Sequence, residues 1–248
     1  MHKPLRLVSI LIFTLIISFL HNFAFASVND TVLQAISPNF WGNKNNIKIT
    51  YIEFVNNQGV NFPNNYSAEL VDSILKETPF VREIHIYQMT LFTIPSQIFQ
   101  LKHIQKLFLN NCSISLISDS VFFIPSLIQL DLQGNPILKF PEIRSFGSGI
   151  LTVSFVATMI SEIPSSISKL CKLRILLLDQ NDQYIKLPSS MIKIRSLICI
   201  SMRGNGILEL PKVIYKLEHL EYLNILDTGL DCEFVRKKLK QSVRLDCS

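Results

Sequence analysis

From Val81 onward the chain repeats itself. Units begin at Val81, Ile104, Leu127, Ile150, Leu173, Leu197 and Leu220, a spacing of 23 residues with one of 24. Self-similarity at a fixed period of this length means one small structural unit stacked many times, each burying its apolar side only against its neighbours. The stretch LIQLDLQGNPILKFP (127–141) displays the unit, with Leu at offsets 1, 4 and 6, Asn at offset 9 and Ile at offset 11. That pattern fits neither a helix face of period 3.6 nor a long alternating strand. A weaker copy, ITYIEFVNNQGV, starts at Ile49. A longer linker follows it, through Phe80, and contains the helical stretch Tyr66–Glu77.

The run L-x-x-L-x-L-x-x-N-x-L, closed by L-P-x-x-I-x-x-L-x-x, resembles the leucine-rich repeat family over about residues 49–230. The resemblance implies an α/β solenoid: a curved parallel sheet on the concave side and short helical or irregular segments on the convex side. Offsets 3–7 of each unit then form a short strand. Offsets 4 and 6 face the core and offsets 3, 5 and 7 face out, because side chains alternate along a strand.

Offset 9 turns the chain inward, where buried backbone groups need partners. Its occupants form an expected ladder of Asn57, Cys112, Asn135, Thr158, Asn181, Asn205 and Thr228. Met89 holds the same offset and has no donor, so local irregularity is expected there. Pro95, Pro141, Pro164, Pro188 and Pro211 mark the start of the return segment.

Both ends of such a stack need covers. The expected organisation is a signal peptide at 1–26, an N-terminal cap with a degenerate repeat at 27–80, repeats at 81–230 and a C-terminal cap at 231–248. Lys3 and Arg6, the apolar run Leu7–Leu20 and Ala24-Phe25-Ala26 make the leader. The run is shorter than the roughly 20 residues needed to span a bilayer. The rival reading, a retained anchor, fits that length less well. The chain is therefore expected to be secreted: periplasmic, on the cell surface or extracellular. The short leader and Asn/Ile/Lys-rich composition favour a bacterial source. Export permits disulfides, and Cys232 with Cys247, which bracket the last element, are the natural pair.

Charge excludes some partners. Within 27–231 the 17 Lys+Arg are balanced by 17 Asp+Glu, and the excess lies around Arg236–Lys240 at the end. The outward sheet positions carry Glu53, Glu83, Asp131, Asp179 and Asp227 against Lys106 and Arg203. Nucleic acid is a poor match for that face. No HExxH, CxxC or phosphate loop occurs, and no nucleophile–base pair is evident, so no catalytic residue, metal ligand or cofactor is assigned.

What remains is a surface for a protein or peptide partner, with apolar and aromatic side chains where a solvated sheet carries polar ones. The candidate contacts are Tyr87, Phe108, Asp131, Val156, Ile175, Leu177, Asp179, Arg203, Tyr222 and Leu226. Two readings compete with this one. The first is an envelope-associated structural protein held by the basic C-terminal cap, associated with a membrane but not spanning it. The second is an enzyme whose site has no recognisable motif.

Overall fold

The computed structural model describes residues 51–55, 68–76, 78–181 and 184–247. The leader, the segment 27–50 and Asn57 lie outside the described residues. The described residues form nine short strands, the first eight on the repeat: β1 (Tyr51–Val55), β2 (Glu83–Tyr87), β3 (Lys106–Asn110), β4 (Gln129–Asp131), β5 (Thr152–Ser154), β6 (Ile175–Leu177), β7 (Cys199–Ser201), β8 (Tyr222–Asn224) and β9 (Arg244–Asp246). They pair in parallel, in sequence order, as one sheet. Equivalent residues stand side by side: Lys106 on Gln129, Gln129 on Thr152, Thr152 on Ile175 and Ile175 on Cys199.

The inward positions form one continuous core. Ile84 and Ile86, Leu107 and Leu109, Leu130 and Leu132, Leu176 and Leu178, and Leu223 and Ile225 are all buried. Each such side chain contributes about 1.5–3 kcal/mol when fully removed from water. Phe122, Phe140 and Phe155 fill the middle as a ring stack, with centroids 5.6 and 4.9 Å apart. On the convex side the prolines open 3-10 helices at Ser96–Gln100, Ser165–Lys169 and Ser189–Lys193. Ser118 takes the proline's place before Asp119–Phe123, and its hydroxyl accepts the Ser120 N–H at 3.2 Å.

The unit from Leu127 departs from this scheme. Pro141 is present, but no helix follows it. The Ile143 N–H donates to Ser166 Oγ at 3.0 Å and the Arg144 N–H to Asp119 Oδ2 at 3.1 Å. Neighbouring units take the donors that a helical turn would use.

Two features at the strand ends hold consecutive units in register. At offset 8 the backbone is left-handed in all seven units, at Gln88, Asn111, Gly134, Ala157, Gln180, Gly204 and Asp227. Only two of these are glycine. An alanine at φ 49° is strained by its Cβ. Ala157→Gly is therefore expected to raise stability by roughly 0.5 kcal/mol, the strain relief exceeding glycine's extra unfolded-state freedom. A urea unfolding midpoint that falls would contradict that sign.

At offset 9 a buried amide follows. Asn135 Oδ1 accepts the N–H groups of Cys112 (2.9 Å) and Ile114 (3.0 Å). Its Nδ2 donates to Leu109 O (2.6 Å) and Leu132 O (2.8 Å). Asn181 Oδ1 accepts the Thr158 N–H and hydroxyl, and Asn205 Oδ1 accepts the Asn181 N–H at 2.6 Å. Each amide thus serves the turn of the unit before it. Cys112 Sγ sits 3.3 Å from Ile86 O, and Thr228 Oγ1 donates within its own turn to Ile225 O at 2.7 Å. Met89 is buried without a donor, and the irregularity appears two residues on, where Leu91 N–H donates to Cys112 O (2.9 Å) and Phe92 has φ 60°.

Helices flank the stack. In α1 (Ala68–Lys76), Val71 and Leu75, one turn apart, are fully buried. Asp72 of that helix accepts the Ser96 hydroxyl and the Gln97 N–H. At the other end α2 (Cys232–Lys238) is capped by Asp231 Oδ1, which accepts from Glu233 N and Phe234 N. A disulfide joins Cys232 to Cys247. The chain between them does more than cover the last unit, since its β9 extends the sheet by one strand.

Candidate functional site

Alternation along the strands sets out rows of outward side chains. One row runs Glu83, Lys106, Gln129, Thr152, Ile175, Cys199, Tyr222, Arg244. The next runs His85, Phe108, Asp131, Ser154, Leu177, Ser201, Asn224, Asp246. The third begins with Tyr87 and Asn110, and backbone hydrogen bonds carry it on through Gln133, Val156, Asp179, Arg203 and Leu226. All ten candidate contacts fall in these rows. Nine are half-buried and Arg203 is exposed.

The rows gather into two clusters. Toward the start of the stack, the His85 ring stacks on Phe108 with centroids 4.2 Å apart. Its Nδ1 lies 2.6 Å from Tyr87 Oη and its Nε2 lies 2.8 Å from Glu83 Oε1. Lys106 Nζ meets the other Glu83 oxygen at 3.2 Å. The His85 bond, helped by Lys106, holds the Glu83 carboxyl below its ordinary value. Glu83 is thus the carboxylate partner of His85. Glu83, His85 and Tyr87 are two residues apart, so alternation alone puts them on one face.

Asp131 lies beside Phe108 on the next strand. Burial pushes its carboxyl above the ordinary 3.8, against the hydrogen bonds from Gln133 N–H and Ser154. A raised carboxyl binds a proton more readily folded than unfolded, so its stabilising contribution is largest in acid and is lost as pH rises through the folded pKa. Asp131→Asn is expected to stabilise the protein at neutral pH, with the gain vanishing in acid. Thermal melts of both proteins across that range check it; equal gains at every pH would rule out a burial cost. Asn110 Oδ1, in the row beside Tyr87, is buried without a hydrogen-bond partner, which typically costs about 1–3 kcal/mol.

The second cluster is more apolar. Ile175 and Leu177 share β6, with Cys199 and Ser201 beside them on β7 and Tyr222 beyond. Fixed charges border this patch. Asp179 Oδ1 accepts the Ser201 hydroxyl at 2.5 Å and the Arg203 N–H at 2.7 Å. Arg203 Nε donates to Asp227 at 2.8 Å. The Tyr222 hydroxyl donates to Asp246 Oδ2 at 2.6 Å, which with burial pushes the phenol up to about 12. The Arg244 guanidinium stands 5.4 Å from the same ring. Asp246 and Arg244 belong to β9, the strand that the repeat pattern does not reveal.

Neither the buried Cys112 nor the half-buried Cys199 has the electropositive setting that activates a cysteine. Burial pushes Cys112 up to about 12, and burial with the nearby Asp179 raises Cys199. No group of three or more His, Cys, Asp or Glu side chains able to hold a metal occurs among the described residues. The basic run at the end is partly committed to its own cap, since Arg236 donates to Val243 O and Lys240 O, and Lys240 Nζ to Glu218 O. No helix among the described residues is long and apolar enough to cross a membrane.

No family model and no curated protein matches the chain. Among solved structures, a leucine-rich repeat protein of Leptospira interrogans resembles it with a TM-score of 0.56 and 19% sequence identity. The match covers 70% of this chain and 50% of that one, so this chain spans about half the length of that protein. At this identity the likeness is one of fold.

Proposed function

We propose that this leucine-rich repeat solenoid is an exported, non-enzymatic binding protein that takes a protein or peptide partner across its concave sheet, as a host-interaction factor. In this reading residues 1–26 are removed on export, and 27–80 and 231–248 cap the repeats. The observation that carries it is the patch of Ile175, Leu177, Cys199 and Tyr222 bordered by the fixed charges of Asp179, Arg203, Asp227, Arg244 and Asp246. An apolar centre within a polar rim is the anatomy of a protein interface. The half-buried Asp131 carboxyl adds support, because its burial costs stability on an open face and a partner's donors would relieve that cost.

Binding energy at such interfaces concentrates in a few anchors. Phe108 and Leu177 are the expected ones, since both are half-buried on the sheet face and neither belongs to the core. Phe108→Ala or Leu177→Ala is expected to weaken binding by about 1–2 kcal/mol, with the fold kept and with stability lowered for Phe108→Ala by no more than the lost His85 stack, about 0.5–1.5 kcal/mol. Lys193→Ala, on the convex side, should leave affinity as it was. The test is capture of a partner from host or envelope extracts, followed by titration of each purified variant. Affinity lost on changing Lys193 and kept on changing Phe108 and Leu177 would overturn the reading.

A further inference from the structure

Most of the strongly exposed apolar side chains lie off the sheet face, on the flank between the offset-9 turn and the proline; Phe146, 69% exposed, lies beyond Pro141 and outside it. Leu208 is 97% exposed, Leu116 73%, Phe92 62% and Leu138 59%, with Met159 and Tyr184 about half exposed. Consecutive units run side by side here. Ser115 N–H donates to Phe92 O, Met159 N–H to Ile137 O, and Glu162 pairs in parallel with Lys186. Beside this apolar strip, two residues before Pro141, Pro164, Pro188 and Pro211, stand Lys139, Glu162, Lys186 and Glu209, all exposed.

Their signs run plus, minus, plus, minus along four successive units. Read backwards the row is minus, plus, minus, plus. A row of this kind is complementary to an antiparallel copy of itself at every position, and it opposes like charges if the copies align in parallel. We infer that this flank docks a second copy of the chain, antiparallel, about a two-fold axis passing between Glu162 and Lys186. Lys139 then meets Glu209 of the second copy, Glu162 meets its Lys186, and each contact occurs twice, as an isologous interface requires. Glu162 and Lys186 already pair within one copy at 3.0 Å, whereas Lys139 and Glu209 have no ion-pair partner among the described residues. Four of the apolar side chains, Leu138, Met159, Tyr184 and Leu208, lie in the facing units and offer on the order of 450 Å² per copy, below the ~800 Å² per partner of a standard interface, so the dimer is a weak one that forms with rising concentration. The flank is separate from the sheet face, so a dimer would present two open sheet faces and gain avidity toward a multivalent partner.

Sedimentation velocity over a concentration series tests this on the purified protein. A concentration-dependent dimer is expected at up to about 100 µM, weakened about tenfold or more by Lys139→Glu or by Glu209→Lys. The two reversals combined should restore it, because the pair then meets with signs exchanged. Unfolding midpoints should stay constant across the three variants, since both side chains are exposed. A protein that remains monomeric throughout, a dimer indifferent to both reversals, or a double variant as weak as the singles would each overturn the inference.

Discussion

Asn135→Leu is expected to lower the stability of the whole stack by about 3 kcal/mol or more, because it strands several buried groups at once. The lost partners are the N–H groups of Cys112 and Ile114 and the carbonyls of Leu109 and Leu132. Leucine matches the amide in size but offers no donor or acceptor. Two of the four groups belong to the turn before and one to the strand before, so the substitution also loosens the joint between units. In a repeat array, cooperativity rests on such joints. Urea unfolding should therefore show a lower midpoint and a shallower transition. Gln133→Ala, two residues away on the exposed side, is expected to be near neutral. Equal midpoints for the two variants would mean that the amide ladder does not couple the units.

The second large effect lies at the end of the stack. Replacing both Cys232 and Cys247 with Ser opens a loop closed over 15 residues, which the chain-entropy model values at roughly 3 kcal/mol. End units have one neighbour and fray first, so β9 should separate from β8 before anything else moves. That event has its own signature. Asp246 leaves with β9, and the Tyr222 phenol loses the hydrogen bond that leads the rise in its pKa to about 12. An ultraviolet titration of the variant should show that phenol falling back toward its ordinary value of 10. An unchanged phenol together with an unchanged melting temperature would show that β9 holds without the bridge.

Much of this architecture was legible in the repeat because burial imposes it unit by unit. A Leu or Ile at offsets 4 and 6 has one low-energy place to go, and one register therefore lays out the core, the sheet and its outward rows together. The left-handed residue at offset 8 was not legible. Glycine announces it only at Gly134 and Gly204, while Gln88, Asn111, Ala157, Gln180 and Asp227 are forced there by the ladders on either side. Strand β9 was hidden for a different reason. The stretch Arg244–Asp246 carries too few residues for periodicity, and only the pull of the disulfide and the open edge of β8 makes it a strand. The missing helix after Pro141 is equally non-local, since Ser166 and Asp119, from the units on either side, capture its backbone donors.

The outward rows were named correctly as positions, but their chemistry depends on neighbours in space. Phe108 reads in the sequence as a free anchor, whereas it is stacked against His85. Tyr222 reads as an aromatic contact, yet its hydroxyl is held by Asp246. Both rings are thus pre-set rather than mobile, which reduces the ordering cost of binding. The flank strip is not legible in the sequence because its charges alternate between units, so that no stretch of contiguous sequence contains the pattern.

Amide hydrogen exchange on the protein with and without its captured partner reads directly whether the sheet face is the working surface. Slowed exchange is predicted along the outward rows, in 106–111, 175–180 and 199–204, with the convex segments 96–100 and 189–193 unaffected. Slowing confined to the convex segments, with the strands unchanged, would contradict it.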